Sequence, residues 1–173
     1  MKRKIILNSK NYSLVRLEKS DLAFIKKWRN EQREVLRQNK ILSDKDQQVW
    51  FKLVQKDKNQ KVFSIINSEG ELCGYCGITH IDWINKRGEL TFLVKTDVQR
   101  AEYRKIFLEM LALLKNYFFS NLSLHKFFAE TFSFRKFHIS ILEEFGFKRG
   151  GVLIDHVFKK GRFYNSLIHY ILC

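Results

Sequence analysis

The sequence predicts an α+β domain built on one mixed, mostly antiparallel central sheet flanked by helices. Three observations carry this reading. Segments of strand character at 61–66, 72–82 and 89–95 follow one another across two short turns, Asn67-Ser68-Glu69-Gly70 and Asn85-Lys86-Arg87-Gly88, the pattern of an antiparallel meander. Helical periodicity brackets that meander on both sides. The chain has 173 residues, 45% of them hydrophobic and 16 of them Phe, which is material for one core, so 1–173 reads as a single domain.

In chain order, Tyr12-Ser13-Leu14-Val15-Arg16 alternates as a first strand. Ser20 reads as the N-cap of a helix whose apolar face carries Leu22, Ile25 and Trp28, with Phe24 beside them. Ser43 reads as the cap of a second helix. Asp44 and Asp46 suit the positive end of its dipole, and Val49, Trp50, Leu53 and Val54 form its apolar set. After the meander, 102–119 reads as an amphipathic helix through Ile106, Met110, Leu113, Leu114, Tyr117 and Phe118. A strand at 126–132, a helix at 135–144 and two strands at 147–158 and 163–172, joined by Lys159-Lys160-Gly161-Arg162, complete the chain.

Composition removes several function classes. No stretch approaches the ~20 apolar residues of a membrane span. The apolar part of the basic start, Ile5 to Leu7, is too short for a signal-peptide core, so a soluble cytoplasmic protein is expected. Cys73 and Cys76 form a C-x-x-C, but no second ligand pair accompanies it and it sits in a β pattern. The expectation is therefore two small strand residues, on opposite faces or near a bulge, with no metal. The net charge of +14, from 32 basic and 18 acidic side chains, favours anionic partners. The basic residues are spread along the chain and no nucleic-acid motif appears, which argues against nucleic acid and for a small anionic molecule. A homodimer is left open.

Several segments together resemble one superfamily. They are Trp28-Arg29-Asn30, Ile41-Leu42-Ser43 and Trp50-Phe51; Leu72-Cys73-Gly74-Tyr75-Cys76-Gly77-Ile78; and Gly88-Glu89-Leu90-Thr91-Phe92-Leu93-Val94. Further along stand Leu124-His125-Lys126, Glu143-Glu144-Phe145-Gly146-Phe147-Lys148 followed by Gly151, and Gly161-Arg162-Phe163-Tyr164-Asn165-Ser166-Leu167. Their order and spacing, from about residue 12 to the end, resemble the GNAT N-acetyltransferases. The nearest flavour is the branch holding ribosomal-protein alanine acetyltransferases and nucleotide-aminosugar acetyltransferases of surface-sugar pathways.

The resemblance implies a GNAT fold, acetyl-CoA as the acyl donor and an amine acceptor. It favours a nucleotide-linked amino sugar, with a peptide N-terminus as the alternative and a non-catalytic or polyanion-binding relative as a third reading. The chain departs from the pattern in two places. The pyrophosphate loop normally reads Q/R-x-x-G-x-G/A, but the stretch from Gln99 to Phe107 has no glycine, and Lys105 and Phe107 stand at the small positions. The helix N-terminus itself remains as an anion site, and Arg100, Arg104 and Lys105 add charge, with Tyr103 in the same turn. On the helix at 135–144, Arg135 stands where the family often has Asn, and Leu142 where it often has the tyrosine that serves as general acid.

Acetyl transfer to an amine needs a polarised thioester carbonyl, a proton acceptor and a stabilised leaving thiolate. The backbone at Leu93, Val94 and Lys95 is the expected source of the polarising N–H. Glu89 is one candidate base, or else pairs with Arg87. Glu130, an acid in an apolar strand, is the other, or else pairs with Arg135 or a lysine. His138 is a candidate proton shuttle on the helix beside the cofactor thiol, or else a structural histidine. Arg29, Asn30 and Arg33 are candidate anion-binding residues of the acceptor wall, or a solvated helix face. His80, Asp82 and His156 (with Asp155) border the expected acceptor cleft, and His125 and His169 read as structural.

Overall fold

A computed structural model describes residues 3–173. The basic start of the chain includes Met1 and Lys2, which lie outside the described residues. Strands β1 (Ile5–Asn8), β2 (Tyr12–Arg16), β3 (Lys61–Asn67), β4 (Leu72–Asp82), β5 (Arg87–Val94), β6 (Lys126–Phe132), β7 (Lys148–Lys159) and β8 (Arg162–Leu172) form one sheet in the order β1-β2-β3-β4-β5-β6-β8-β7. Helices α1 (Leu22–Glu31), α2 (Asp44–Lys56), α3 (Arg100–Asn116) and α4 (Lys136–Phe145) flank it. Every neighbouring pair is antiparallel except β5–β6. The expected mixed, mostly antiparallel sheet is thus present, with β1 as an addition: four residues are too few to show a period.

The two faces carry separate cores. Phe107, Phe118 and Phe127 lie fully buried in the larger one, where α3 and α4 pack on the sheet. On the other face Ile25 and Trp28 of α1 and Val54 of α2 pack on Tyr75 and Leu93. The bulge of β4 at Cys73 lets both Cys73 and Cys76 join the larger core as free thiols. Burial alone raises the Cys76 thiol well above its ordinary range.

Of the two expected helix caps, one is present. Ser43 caps α2, its Oγ accepting from the Asp46 amide at 3.2 Å while Asp46 accepts from the Ser43 amide at 2.8 Å. Ser20 does not cap α1. It lies inside a 3₁₀ turn, Lys19–Asp21, and buried Asp21 instead organises this corner by accepting from Arg3, Ser64 and the Glu18 amide. The inward stripe of α2 is Gln47, Trp50, Phe51 and Val54, one helical face, whereas Val49 and Leu53 point to solvent. The third helix starts two residues earlier than its apolar periodicity suggests, at Arg100, and ends in a π-helical turn, Tyr117–Asn121.

What positions a site is the behaviour of β5 and β6. Their parallel pairing covers only Arg87–Glu89 against Lys126–Phe128. Beyond it the strands diverge, so Leu90–Val94 and Ala129–Phe132 form the walls of a wedge through the sheet. β6 continues to pair with β8 and β5 with β4, which keeps both walls rigid.

Candidate active site

The wedge is lined by residues of both faces. On the α1/α2 side its lining includes Arg29, Leu36, Arg37 and Tyr75, and at its depth Thr91, Glu130, Arg135 and His138. A second cavity on the α1/α2 face shares Arg29, Arg37, Tyr75 and Thr91 and extends to Trp50, Asp57 and His80. One continuous cleft therefore runs from the α1/α2 face into the sheet.

The β5 wall presents backbone donors. The Lys95 amide donates to the Cys73 carbonyl at 2.8 Å, within the β4 ladder. Antiparallel alternation then sends the amides of Leu93 and Thr91 the same way and those of Val94 and Phe92 toward the wedge. The carbonyl of Val94, on that free edge, accepts from Gln32 Nε2 at 2.7 Å. Of the three residues expected to polarise a carbonyl, Val94 has the required direction, and the amides of Leu93 and Lys95 belong to the ladder.

At the floor, Glu89 and Glu130 stand on adjacent strands and the same face of the sheet. Glu89 is 3% exposed. It accepts from Arg37 and meets His80 Nδ1 at 2.7 Å. The other arm of the Arg37 guanidinium reaches Glu130 at 3.5 Å, and His156 Nε2 lies 3.6 Å from the other Glu130 oxygen. One cation thus bridges the two candidate bases. Arg87 pairs instead with Asp82, and Arg135 is no partner of Glu130. Arg37 is hidden in the sequence because it lies in an irregular polar segment, where charge reads as solvation. Tyr75 reads there only as part of a strand, although an aromatic between Gly74 and Cys76-Gly77 points to a backbone close enough to need glycine.

The remaining acceptor-side residues divide. Arg29 lines both cavities, and its guanidinium is held by neutral groups, Gln38 Oε1 at 3.1 Å and the Tyr75 hydroxyl at 2.7 Å. His80 and His156 stand beside the carboxylates. Asn30 is structural: its amide oxygen accepts from the Leu42 amide and Gln38, and its Nδ2 donates to the Leu42 carbonyl. Asp82 closes the β4–β5 turn by accepting from Asn85, outside the cleft lining, and its carboxyl is held below the usual range chiefly by those bonds. Arg33 pairs with Glu34 and lines an adjoining surface groove with His156 and Lys159, which shares Arg37 with the cleft.

Across the wedge, α3 follows its N-cap residue Gln99, whose side chain makes no cap bond. The first amide bonded to a helical carbonyl is that of Tyr103, to Gln99, so the amides of Arg100, Ala101 and Glu102 are free of helical partners. No residue between 96 and 104 stands in the left-handed region, so the turn needs no glycine to hold its path. Arg100 lies over the Phe137 ring at 4.8 Å, Arg104 pairs with Glu144, and Lys105 is near the Tyr12 ring. Tyr103 turns inward, away from the free amides, and packs on Phe92, Phe107 and Phe137. Its hydroxyl meets His138 Nδ1 at 2.7 Å and Arg135 Nη2 at 3.5 Å.

A wedge between parallel strands, an amide edge along one wall and a bare helix N-terminus beyond it make an acyl-carrier site. The comparison with known families agrees: an acetyltransferase (GNAT) domain matches residues 14–168. The chain belongs to the GNAT acetyltransferases. No curated protein matches it. Solved structures do. Spermidine N-acetyltransferase from Vibrio cholerae, in complex with CoA and spermine, superposes with a TM-score of 0.84 at 22% identity, over 93% of this chain and 95% of that one. A chimera of the Vibrio cholerae enzyme and hSSAT gives 0.81 at 24% identity, over 94% and 96%. The manganese-bound Vibrio cholerae enzyme gives 0.77 at 23%, over 94% and 92%. These likenesses establish the GNAT fold, and they do not single out the ribosomal-protein or aminosugar branch that the sequence resembles.

The groups present fit the acetyl-CoA of this family. The free amides of Arg100 to Glu102 and the positive end of α3 suit a pyrophosphate, and the Phe92 and Val94 amides suit an extended amide arm and a carbonyl. Acetyl-CoA is the acyl donor, and no helix among the described residues is long and apolar enough to cross a membrane.

From sequence His138 is a candidate proton shuttle or a structural histidine. It is buried, and desolvation first, then the charge of Arg135 and His169, push its pKa well below the ordinary 6.5. It is therefore neutral at neutral pH. Its neighbours are Tyr103, Arg135 and His169, the last held by Glu143 at 3.1 Å. In the unfolded chain the ring takes up a proton on acidification while the folded one resists. Stability is thus full above about pH 6.5 and falls below it, by up to ~1.4 kcal/mol per pH unit for one group. Between pH 7 and pH 5 a His138→Phe variant should lose less of its stability than the parent, as read by urea midpoints at both pH values.

Proposed function

We propose that this chain acetylates the amine of a small acceptor that also carries an anionic group, with a nucleotide-linked amino sugar as the favoured class. The observation that carries the reading is Arg29. Its partly buried guanidinium lines both cavities, and among the described residues it has only neutral partners, so the cleft holds a cation ready for an anion next to two carboxylates ready for an amine. A chain of net charge +14 attracts such an acceptor and repels a polycation.

In this reading the acceptor ammonium replaces Arg37 between Glu89 and Glu130. Glu89 accepts its proton, directly or through water, and gives it up to solvent beside His80, whose Nδ1–H holds the ionised carboxylate in place and whose side chain is 71% exposed. The Val94 amide receives the carbonyl oxygen as negative charge develops there.

A second reading has its own observation. The Arg37 bridge shows that the floor of the cleft holds a cation between two acids, and the structural relatives include an enzyme solved with spermine. A polyamine acceptor would use that feature and leave Arg29 without a role.

An acceptor panel decides between them. Purified protein with acetyl-CoA is offered UDP-linked amino sugars, amino-sugar phosphates, spermidine, spermine and a peptide with N-terminal alanine, and product is read by mass spectrometry. The expected result is turnover of the amino-sugar acceptors, with an Arg29→Gln variant raising KM by about tenfold or more, the equivalent of ~1.4 kcal/mol for a lost charge-assisted contact. Turnover of spermidine with no effect of Arg29→Gln would overturn the anionic-acceptor reading.

A further inference from the structure

The family's general-acid position on α4 holds Leu142, buried and without a polar atom, so the leaving thiolate must be stabilised by other groups. The polar side chains on the α3/α4 side of the wedge include Thr131, Arg135 and His138, and Tyr103, behind the lining, joins the last two in series. We infer that Tyr103 is a positioning residue for the donor half of the site: its hydroxyl, with its lone pair turned to Arg135, fixes His138 as the Nε2–H tautomer and so aims a neutral N–H donor into the wedge. The inference rests on the acetyl-transfer reading for its use, but not for its geometry.

The direction of each bond follows from what each group can do. A guanidinium only donates, so Arg135 Nη2 can meet the Tyr103 oxygen only as donor, across 3.5 Å. The Tyr103 hydroxyl has one hydrogen, and its other partner is His138 Nδ1 at 2.7 Å. Were Nδ1 protonated, two donors would converge on the phenol oxygen and the phenol hydrogen would have no acceptor among the described residues. A buried hydroxyl without an acceptor costs roughly 1–3 kcal/mol. The tautomer with Nδ1 bare and Nε2 protonated removes that cost.

The ring is fixed in plane as well as in tautomer. Phe107, fully buried, stacks on His138 at 4.4 Å and 19°, and Phe92 of the β5 wall stacks on Phe107 at 4.2 Å. His138 lines the wedge, and its Nε2 has no partner among the described residues. An N–H on that atom would face the place where negative charge gathers as the thioester breaks. The N–H and the Arg135 charge behind it lower the energy of that charge; no proton leaves the ring, and the thiolate takes its proton from solvent. Preorganised donors of this kind act most strongly where water is excluded.

The test uses the full chain labelled with nitrogen-15 and long-range proton–nitrogen correlation of the histidine rings. The expected spectrum shows His138 with an unprotonated Nδ1 and a protonated Nε2. Tyr103→Phe, which removes one oxygen from a packed ring, should mix the two tautomers and lower kcat about tenfold, with acetyl-CoA affinity by calorimetry unchanged. Arg135→Gln, which leaves the hydroxyl in place, should shift the same signals in part. A protonated Nδ1 in the parent protein, or a Tyr103→Phe variant with the parental tautomer and kcat, overturns the inference. If the parent binds no acetyl-CoA, the acetyl-transfer reading fails separately, while the tautomer measurement still decides the geometry.

Discussion

Glu89→Gln is expected to lower kcat by two to three orders of magnitude while leaving acetyl-CoA affinity within about twofold, since a positioned general base contributes on the order of 10²–10⁴ to rate. The reasoning starts from the strand. Glu89 is the last β5 residue paired with β6, so its side chain stands where the wedge begins, on the face that the acceptor enters. At 3% exposure its orientation is set by His80 and Arg37 rather than by solvent. The side-chain amide of the variant would keep the shape and one acceptor oxygen but could not take a proton. Glu130→Gln, at a carboxylate reached by Arg37 only at 3.5 Å, is expected to raise the acceptor KM more than it lowers kcat. Steady-state kinetics of both variants, with calorimetry for the donor, separate the roles. Equal losses in the two would remove Glu89 from its assigned place as base. A parental kcat in Glu89→Gln would end the direct mechanism and leave proton loss to water alone.

The legibility of this protein from sequence differs between fold and site. Strands β2 to β5 announce themselves by alternation and two polar turns, and α2 by a cap and two early acids, because these signals are local. The inward face of α2 does not follow from its apolar residues alone. Gln47 is buried and Leu53 exposed, so the true stripe includes a polar residue whose burial depends on α1. At the site, the ends of β5 and β6 can be named from sequence, hence Glu89, Glu130 and Val94. The partner that ties the two acids together cannot be. Arg37 lies more than fifty residues from Glu89, in a segment with no period, and only the packed structure places it there. Tyr103 is an intermediate case. From sequence it is one residue of the charged first turn of α3, and its burial gives the absence of glycine a meaning: the side chain leaves the helix end open and turns into the core.

Gly74→Ala is the substitution with the largest expected effect on the folded state. β4 passes so close to β5 here that a Cβ on Gly74 would stand 2.1 Å from the Leu93 carbonyl oxygen and 2.8 Å from Val94 Cα. Both are backbone atoms in the middle of a sheet, so no side-chain rotation relieves the clash and β5 itself must shift. Overpacking of a rigid core costs typically 1–3 kcal/mol, and a backbone clash lies at the upper end, so a loss of about 3 kcal/mol is expected. For a chain of this size that is roughly 6–12 °C in Tm. Gly151→Ala supplies the control, since a Cβ there meets nothing within 4 Å. Reduced freedom of the unfolded chain should make it neutral to stabilising by up to ~1 kcal/mol. The functional consequence follows from the same contact. Val94 carries the amide that faces the wedge, so moving β5 by a few tenths of an ångström displaces the donor from the carbonyl it must meet in the transition state. At a temperature where Gly74→Ala remains folded, kcat should fall by about tenfold or more with acceptor KM little changed. A folded Gly74→Ala protein with parental kcat would show that the carbonyl is polarised elsewhere than on β5.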